Sequence, residues 1–249
     1  MRVAALYDIH GNLAALDAVL AEIEALAPDR ILVGGDVALG PMPRETLDRL
    51  TAMGERVTFI RGNCDREMAT PTEAFASGAW GARTAWAAAR CTSAQMELLR
   101  GLPTTATYVV EGLGDVLFCH GSPRRDDEIL TRRTPDERLH AMLSGGEPDT
   151  IVSGHTHVQV DRRAIGKRWV NPGSVGMPYE HTPGACWALL GPDVSLRRTP
   201  FDVERAIEDT LASGFPDPDE FIEKYLRRIP DPDEATARFE NMATAAARG

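Results

Sequence analysis

Short apolar runs alternate with longer segments of helical periodicity over the first 65 residues. The runs at residues 3–7, 31–33 and 57–60 have the length of buried strands. Between the first two, Leu13, Leu16, Leu20 and Ile23 recur at helical spacing after Asn12, which can cap a helix. Residues 43–53 predict a second helix. Strand, helix, strand, helix, strand predicts a parallel sheet with right-handed crossovers.

The second half of the chain has a different pattern. Residues 66–102 are Ala-rich and predict helix, but the following segments pair short apolar runs across turns that contain glycine. These pairs predict hairpins over residues 108–119, 158–170 and 185–198, with a further strand at residues 150–152. The chain therefore begins as α/β and ends in antiparallel strands, which predicts two sheets packed together with helices outside.

A short repeat marks the last part of the chain. Pro216-Asp217-Pro218-Asp219-Glu220 recurs as Pro230-Asp231-Pro232-Asp233-Glu234. Asp217 and Asp231 are each predicted to cap a helix, with Pro at the first helical position and Glu at the third. We therefore expect a domain over residues 1–200 and a helical extension over residues 201–249 that packs on the same domain.

Composition narrows the class of protein. The chain of 249 residues is 43% hydrophobic and 26% charged, as in ordinary globular proteins. Its net charge of −10 argues against a nucleic-acid polymer as partner, because phosphate backbones require a basic surface. No stretch approaches the roughly 20 apolar residues of a membrane span, and no secretory signal pattern is present. Cysteines show no metal-knuckle spacing. We expect a cytoplasmic protein without a membrane partner.

Five motifs rich in Asp, Asn and His each follow a predicted strand. They are Asp8-Ile9-His10, Gly34-Gly35-Asp36, Gly62-Asn63-Cys64-Asp65, His120-Gly121 and Gly154-His155-Thr156-His157. Sites in open α/β sheets form beyond the carboxyl ends of the strands, so these side chains are expected at one edge. Each motif alone is more often a turn or a capped helix. All five together, in this order, favour a metal site.

The ligand types indicate the kind of metal. Oxygen and imidazole donors suit Mn, Fe, Zn or Ni better than a lone Ca or Mg. Residues two apart on an extended segment point the same way, so Asp8 with His10, and His155 with His157, can converge on an ion. The full set of candidate ligands is too large for one ion that also binds substrate. It suits two ions that share a carboxylate.

The ordered motifs, followed by Asn171-Pro172-Gly173-Ser174, resemble the calcineurin-like metallophosphoesterase superfamily, and its small bacterial and archaeal phosphodiesterase-type members in particular. The resemblance implies a four-layer α-β-β-α sandwich of two mixed sheets flanked by helices. It also implies two divalent ions, manganese first, with Fe, Zn, Ni or Mg as alternatives. One ion would be held by Asp8, His10 and His157 and the other by Asn63, His120 and His155, with Asp36 bridging them.

The resemblance also implies a reaction. A hydroxide bridging the two ions would attack a phosphate ester in line. The substrate expected first is a small phosphodiester such as a cyclic nucleotide. A phosphomonoesterase or dinucleoside polyphosphate hydrolase is the alternative. A different kind of function, a non-catalytic metal-binding scaffold, is a further alternative, but the complete ligand set argues against it. The oligomeric state stays open.

Further residues are candidates for catalysis or for substrate binding. Asp36, Asn63, Asp65 and His120 are the catalytic candidates, and Asp65 either orients a ligand imidazole or caps the next segment. Asn63, Cys64 and Arg124 are the candidates for substrate binding. Many members of the family carry His where Cys64 stands, to protonate the leaving group, and Cys64 either replaces it or packs beneath the site. Arg124 either contacts a phosphate or belongs to a solvated loop. His181 could serve as acid instead, and His140 is expected at the surface.

Overall fold

The computed structural model describes residues 1–73 and 75–246. The strands are β1 (Val3–Leu6), β2 (Arg30–Val33), β3 (Val57–Phe59), β4 (Thr105–Val110), β5 (Gly114–Cys119), β6 (Thr150–Val152), β7 (Val160–Ala164), β8 (Lys167–Asn171), β9 (Ala185–Leu190) and β10 (Val194–Thr199). They form two mixed five-stranded sheets in the described part of the chain, in the orders β10-β9-β1-β2-β3 and β4-β5-β6-β8-β7.

Helices cover both sheets. They are α1 (Leu13–Leu26), α2 (Pro43–Thr51), α3 (Asn63–Ala69), α4 (Gly78–Arg90), α5 (Ser93–Gly101), α6 (Asp136–Leu143), α7 (Val203–Ser213), α8 (Pro218–Phe221) and α9 (Pro232–Ala246). A 3₁₀ turn at Gly54–Arg56 precedes β3, and a π-helical segment at Ile222–Arg227 continues α8. None of the described helices has the length and apolar character needed to cross a lipid bilayer.

The pairing of the strands agrees with the pattern of the sequence. β1, β2 and β3 are parallel neighbours, as the strand-helix alternation predicts. The pairs β4–β5, β7–β8 and β9–β10 are antiparallel hairpins, also as predicted. The parallel contacts of β5 with β6 and of β6 with β8 make the second sheet mixed. The predicted sandwich of two mixed sheets is confirmed.

Alternating side chains of β1 show how the layers form. Val3, Ala5 and Tyr7 face the second sheet, in a core with Val116 and Phe118 of β5. The intervening Ala4 and Leu6 join the core between the first sheet and its helices. Because successive strand residues point to opposite faces, both faces of this sheet are buried. On the outer face of the second sheet, α6 packs over side chains of β5, β6 and β8.

The C-terminal helices pack against the loops that follow β6 and β8. Phe215, Phe221, Tyr225 and Phe239 share a buried cluster with Val158, Met177 and Tyr179. We infer from this shared core that residues 201–246 extend the first domain, and the last three residues of the predicted extension lie outside the described part of the chain.

The two predicted helix caps of the repeat differ. Asp231 accepts hydrogen bonds from the backbone N–H groups of Asp233 and Glu234, at 2.8 and 3.1 Å, as predicted for the start of α9. The prediction for Asp217 is wrong. Asp217 has a left-handed backbone (φ 51°), and its side chain does not cap α8. The same five residues therefore begin one helix by side-chain capping and the other by backbone geometry alone.

Candidate metal centre

Loops at the carboxyl ends of five strands bring the predicted ligands together. Asp8 and His10 follow β1, Asp36 follows β2 and Asn63 begins α3 after β3. His120 follows β5, and His155 and His157 follow β6. The donor atoms of Asp8, His10 and His157 all lie within 4.8 Å of one another, and so do those of Asp36, His120 and His155. The five strand ends thus form two adjoining donor groups.

Short distances connect the two groups. His157 Nε2 lies 3.3 Å from Asp8 Oδ1, and His120 Nε2 lies 3.4 Å from Asp36 Oδ2. His120 Nε2 is also 3.7 Å from Asp8 Oδ1, and His10 Nε2 is 3.8 Å from Asp36 Oδ2. Each carboxylate therefore faces imidazoles of both groups, so a carboxylate shared between two ions is compatible with this arrangement.

Backbone carbonyls orient three of the imidazoles. The Nδ1–H of His10 donates to Leu39 O at 3.1 Å, that of His120 to Gly34 O at 2.8 Å, and that of His157 to Met177 O at 2.8 Å. Because a carbonyl can only accept, each Nδ1 carries the proton, and in the neutral ring Nε2 keeps its lone pair. That lone pair faces the cluster, the arrangement typical of metal-binding histidines.

The carboxylates divide their oxygens between backbone and cluster. Asp8 Oδ2 accepts from the His155 N–H at 3.0 Å, and Asp36 Oδ1 accepts from the Cys64 N–H at 2.8 Å. The other oxygen of each carboxylate faces the imidazoles. Each side chain is therefore fixed by one oxygen while the second is presented to the cluster.

The atoms that face inward require a cation. Asp8 Oδ1, Asn63 Oδ1 and His120 Nε2 are buried without a hydrogen-bond partner. His10 Nε2 and His157 Nε2 lie 3.3 Å apart with their lone pairs turned towards each other. Burying the Asp8 and Asn63 oxygens unpaired costs about 1–3 kcal/mol each. Divalent ions satisfy acceptors of this kind, so the residues fit a dinuclear centre of oxygen and imidazole ligands.

The charges in the ion-free protein are strongly coupled. Burial lowers the pKa of His120, but Asp36 and Asp8 outweigh burial and raise this pKa to about 10. Burial and the neighbouring His120 lower the pKa of His155 to about 4. Burial raises the pKa of Asp36, yet His120 and His10 outweigh it and hold the pKa well below its usual range. At neutral pH, His120 therefore holds a proton that a cation can replace.

Many of these ligands have a left-handed backbone. Asp8 (φ 54°), His10 (φ 48°), Asp36 (φ 53°), His155 (φ 68°) and His157 (φ 59°) all have positive φ. This conformation costs an L-residue about 1–2 kcal/mol and is concentrated at functional sites. Asp8 and His10 lie in one donor group as expected, although their segment is not extended, but the expectation that His155 and His157 converge is wrong. His155 and His157 instead point into different donor groups.

Asp65 acts on the loops around the ligands. Its Oδ2 accepts from the N–H groups of Asp36 and Gly62 at 2.8 and 2.9 Å, and its Oδ1 accepts from Val37 at 3.0 Å. Of the two roles weighed for Asp65, these contacts support the cap at the start of α3. Because it joins the loop after β2 to the loop after β3, Asp65 also fixes the backbone of Asp36.

Cys64 lies in the cavity wall beside the donors. The Cys64 sulfur and donor atoms of His10 and Asp36 lie within 4.8 Å of one another, and Cys64 is 6% exposed. Burial and the negative charge of Asp36 raise the pKa of the Cys64 thiol well above its usual value. The thiol therefore keeps its proton at neutral pH.

Other sequence candidates lie away from the donors. The Arg124 guanidinium is half exposed and pairs with Glu128 across 2.5 Å, and Arg124 does not line the cavity beside the cluster. His181 is exposed and lies 3.3 Å from Asp231. His140 is exposed on α6, as expected. Ser174, of the Asn171-Pro172-Gly173-Ser174 motif, donates to Asp8 O at 2.7 Å and so joins the loop after β8 to the loop after β1.

A cavity of about 480 Å³ opens over the donor groups. One side, the ligand wall, consists of His10, Asp36, Asn63, Cys64, His155 and His157, together with the fully buried Asp8 and His120 of the same donor groups. The opposite side, the tail wall, consists of Lys224, Tyr225, Arg238, Phe239 and Met242. This volume is typical of pockets that bind small organic molecules.

Tyr179 connects the two walls, and sequence reasoning missed this contact. Its ring stacks on His157 with centroids 4.7 Å apart, and it lies 6.4 Å from Tyr225 and 6.3 Å from Phe239. Phe239 in turn lies 6.2 Å from His155. The sequence does show a concentration of aromatic residues after residue 200, but it does not show which part of the molecule they pack against.

Comparison with known proteins identifies a family and similar chains. A profile of the calcineurin-like phosphoesterase superfamily domain matches residues 1–192. Protein MJ0912 of Methanocaldococcus jannaschii is 25% identical over 235 residues, 86% of this chain and 94% of that protein. Phosphodiesterase YfcE of Escherichia coli K12 is 26% identical over 203 residues, 75% and 85% of the two chains. The crystal structure of PH1004 from Pyrococcus horikoshii, 22% identical, has the same fold with a TM-score of 0.77, covering 90% of this chain and 98% of that one.

Proposed function

The chain belongs to the calcineurin-like phosphoesterase superfamily, and from this premise we propose that it hydrolyses a small phosphodiester with two divalent ions. Asp8, His10 and His157 would hold one ion, Asn63, His120 and His155 the other, and Asp36 would contact both. The observation that carries this proposal is the set of buried ligand atoms without hydrogen-bond partners, Asp8 Oδ1, Asn63 Oδ1 and His120 Nε2, of which the first and last lie 3.7 Å apart.

The ions supply Lewis acidity when bound, which activates water and neutralises charge on the phosphoryl oxygens. The chain's own residues supply position. The carbonyls of Gly34, Leu39 and Met177 fix the imidazoles, and Asp65 fixes the loop of Asp36. Because the donors are held before substrate arrives, little reorganisation is needed during the reaction, and such preorganisation is usually the largest contribution to catalysis.

Close packing at the strand ends supports the same role. A Cβ at Gly62 would lie 2.1 Å from Asp36 Oδ1, so only glycine lets the loop before α3 approach this carboxylate. The approach places the Cys64 N–H on Asp36 Oδ1 and leaves Oδ2 for the cluster. The second oxygen of Asp36 is thereby positioned for the proposed bridging contact.

Two features favour a diester over a monoester. The relative YfcE is named a phosphodiesterase. The leaving-group side also lacks the imidazole that many members of the family place after the Asn, and Cys64 stands there instead. A protonated thiol is a weak hydrogen-bond donor, so leaving groups that depart without protonation are favoured. The first substrate class to test is therefore diesters with an aryl leaving group, with nucleotide diesters, whose sugar alkoxide leaves less readily, tested beside them.

Metal analysis coupled to a substrate panel tests the proposal. Purified protein would be stripped with chelator, reloaded with Mn²⁺, Fe²⁺, Zn²⁺, Ni²⁺ or Mg²⁺, and assayed on bis(p-nitrophenyl) phosphate, cyclic nucleotides, dinucleoside polyphosphates and monoesters. We expect activity only with metal, best with a transition metal, and higher kcat/KM on diesters. Higher kcat/KM on monoesters or on polyphosphates would replace the diester assignment. Two tightly held ions without hydrolysis of any ester would favour a scaffold.

A further inference from the structure

Two cations on the C-terminal helices face the cavity. The Arg238 guanidinium carbon lies 5.6 Å from the Tyr179 ring centre and 5.3 Å from that of Phe239. Lys224 Nζ lies 5.3 Å from the Tyr225 ring centre. Both side chains line the cavity and are exposed. Aromatic faces thus position both cations at the mouth of the cavity.

Neither cation is paired with a carboxylate within the part of the chain that the structure describes. Nearby arginines behave differently, since Arg132 and Arg133 both contact Asp233, at 2.8 and 2.5 Å. In a chain with net charge −10, two cations that face a cavity without an acidic partner are suited to an anionic ligand. The planar fork of donors on Arg238 matches a phosphate group in particular.

Apolar surface is exposed beside the cations. Met242 is 51% exposed and Trp80 is 39% exposed, and both line the cavity. The buried rings of Tyr225 and Phe239 lie behind them. Exposed aromatic and thioether surfaces next to cations are suited to a planar ring that carries a negative charge, such as a nucleobase joined to a phosphate.

We propose that the tail wall selects a nucleotide-like diester that carries a second phosphate group beyond the scissile one. Arg238 binds that second phosphate, Lys224 adds to the positive field, and the base lies on Trp80 and Met242. The inference rests on the proposed function, since the ligand wall is taken to hold the scissile diester. It adds a substrate class and the residues that recognise it.

Two matched substrates test the selection. Thymidine 3′-(p-nitrophenyl phosphate) and the same compound with a 5′-phosphate differ only by the second phosphate. With the metal-loaded enzyme, we expect the added phosphate to lower KM about fivefold, the upper range for an exposed charge contact. In Arg238→Gln the two KM values should become equal, and Arg238→Lys should restore part of the difference. Equal KM values in the wild type, or a ratio unaltered by Arg238→Gln, would overturn the proposal.

Arg228→Gln is the control, because Arg228 is exposed on the same extension, does not line the cavity, and its loss changes the net charge equally. Its KM ratio and activity should match the wild type. If it reduces the ratio as much as Arg238→Gln, the effect is due to overall charge and the proposed contact is wrong.

Calorimetry on the metal-free protein measures binding affinity, which does not depend on turnover. Thymidine 3′,5′-bisphosphate should bind the wild type and Arg228→Gln equally, and Arg238→Gln about fivefold more weakly. Equal binding by all three proteins would contradict the role of Arg238. Failure of every diester to react would overturn the proposed function separately, because this comparison does not depend on hydrolysis.

Discussion

The two walls of the cavity are built in different ways. Ligand-wall side chains lie at strand ends, where hydrogen bonds to the backbone hold both carboxylates and three of the imidazoles. Tail-wall side chains lie on helices that pack across the opening, and three of them, Lys224, Arg238 and Met242, are exposed. If the proposals above hold, the difference teaches that chemistry, which needs rigid donors, is separated in this chain from recognition, which can be carried by an appended segment.

Replacing a ligand-wall carboxylate should give the largest loss of activity, and so the clearest functional difference between the two walls. In Asp36→Asn the bridging contact loses its charge, and we expect kcat to fall about a thousandfold, since such charge stabilisation is worth several kcal/mol. Steady-state kinetics at matched metal content measures this. The control is Asp115→Asn, the same chemical change at an exposed position on β5 far along the strand from His120. If Asp36→Asn kept most of its turnover, the bridging role would be wrong.

The next effect concerns Cys64, which we propose lies beside the leaving group. Because its thiol is a weak acid, we expect wild-type rates to fall steeply as the pKa of the leaving group rises. Cys64→His should speed alkyl leaving groups about a hundredfold, in the usual range for general acid catalysis. Cys64→Ala, which removes the thiol without adding imidazole, should keep the steep dependence. Rates on diesters of graded leaving-group pKa test this, and a shallow dependence shared by all three proteins would exclude it.

Metal affinity should depend on pH through the ligand wall. In the ion-free protein the pKa of His120 is raised to about 10, so one proton must leave when an ion binds. The pKa of His155 is lowered to about 4, so this residue is already neutral. The apparent Kd for Mn²⁺ should therefore fall about tenfold per pH unit between pH 7 and 8.5. Calorimetry in buffers of different ionisation enthalpy counts the protons released. A Kd independent of pH would show that His120 carries no proton to displace.

The ligand wall could be predicted from the sequence to a much greater extent than the tail wall. The motifs at Asp8, Asp36 and His120 could be predicted, because a polar residue directly after a buried strand is placed by the strand itself. The positive φ of Asp8 and Asp36 could not, because Asp adopts this conformation more often than most residues but still only in a minority of cases. Arg238 and Phe239 could not be assigned to the cavity either, because the docking of α9 depends on contacts with Tyr179, far away in sequence.

The smallest expected effect concerns backbone strain in the ligand wall. Because His155 has φ 68°, His155→Gly should be more stable than His155→Ala by about 1 kcal/mol in the metal-free protein. His140 is the matched control, since it is an exposed histidine in the right-handed helix α6, where glycine is the worse residue. Thermal or urea unfolding measures both pairs. The same order of stability at the two positions would mean that the left-handed backbone carries no strain.

Anomalous diffraction from crystals grown with Mn²⁺ tests the central claim most directly, because it locates the ions without assuming a substrate. The account predicts two peaks per chain in the ligand wall, one among Asp8, His10 and His157 and one among Asn63, His120 and His155, with Asp36 between them. A single peak, or manganese bound only outside these residues under saturating conditions, would contradict a dinuclear phosphoesterase.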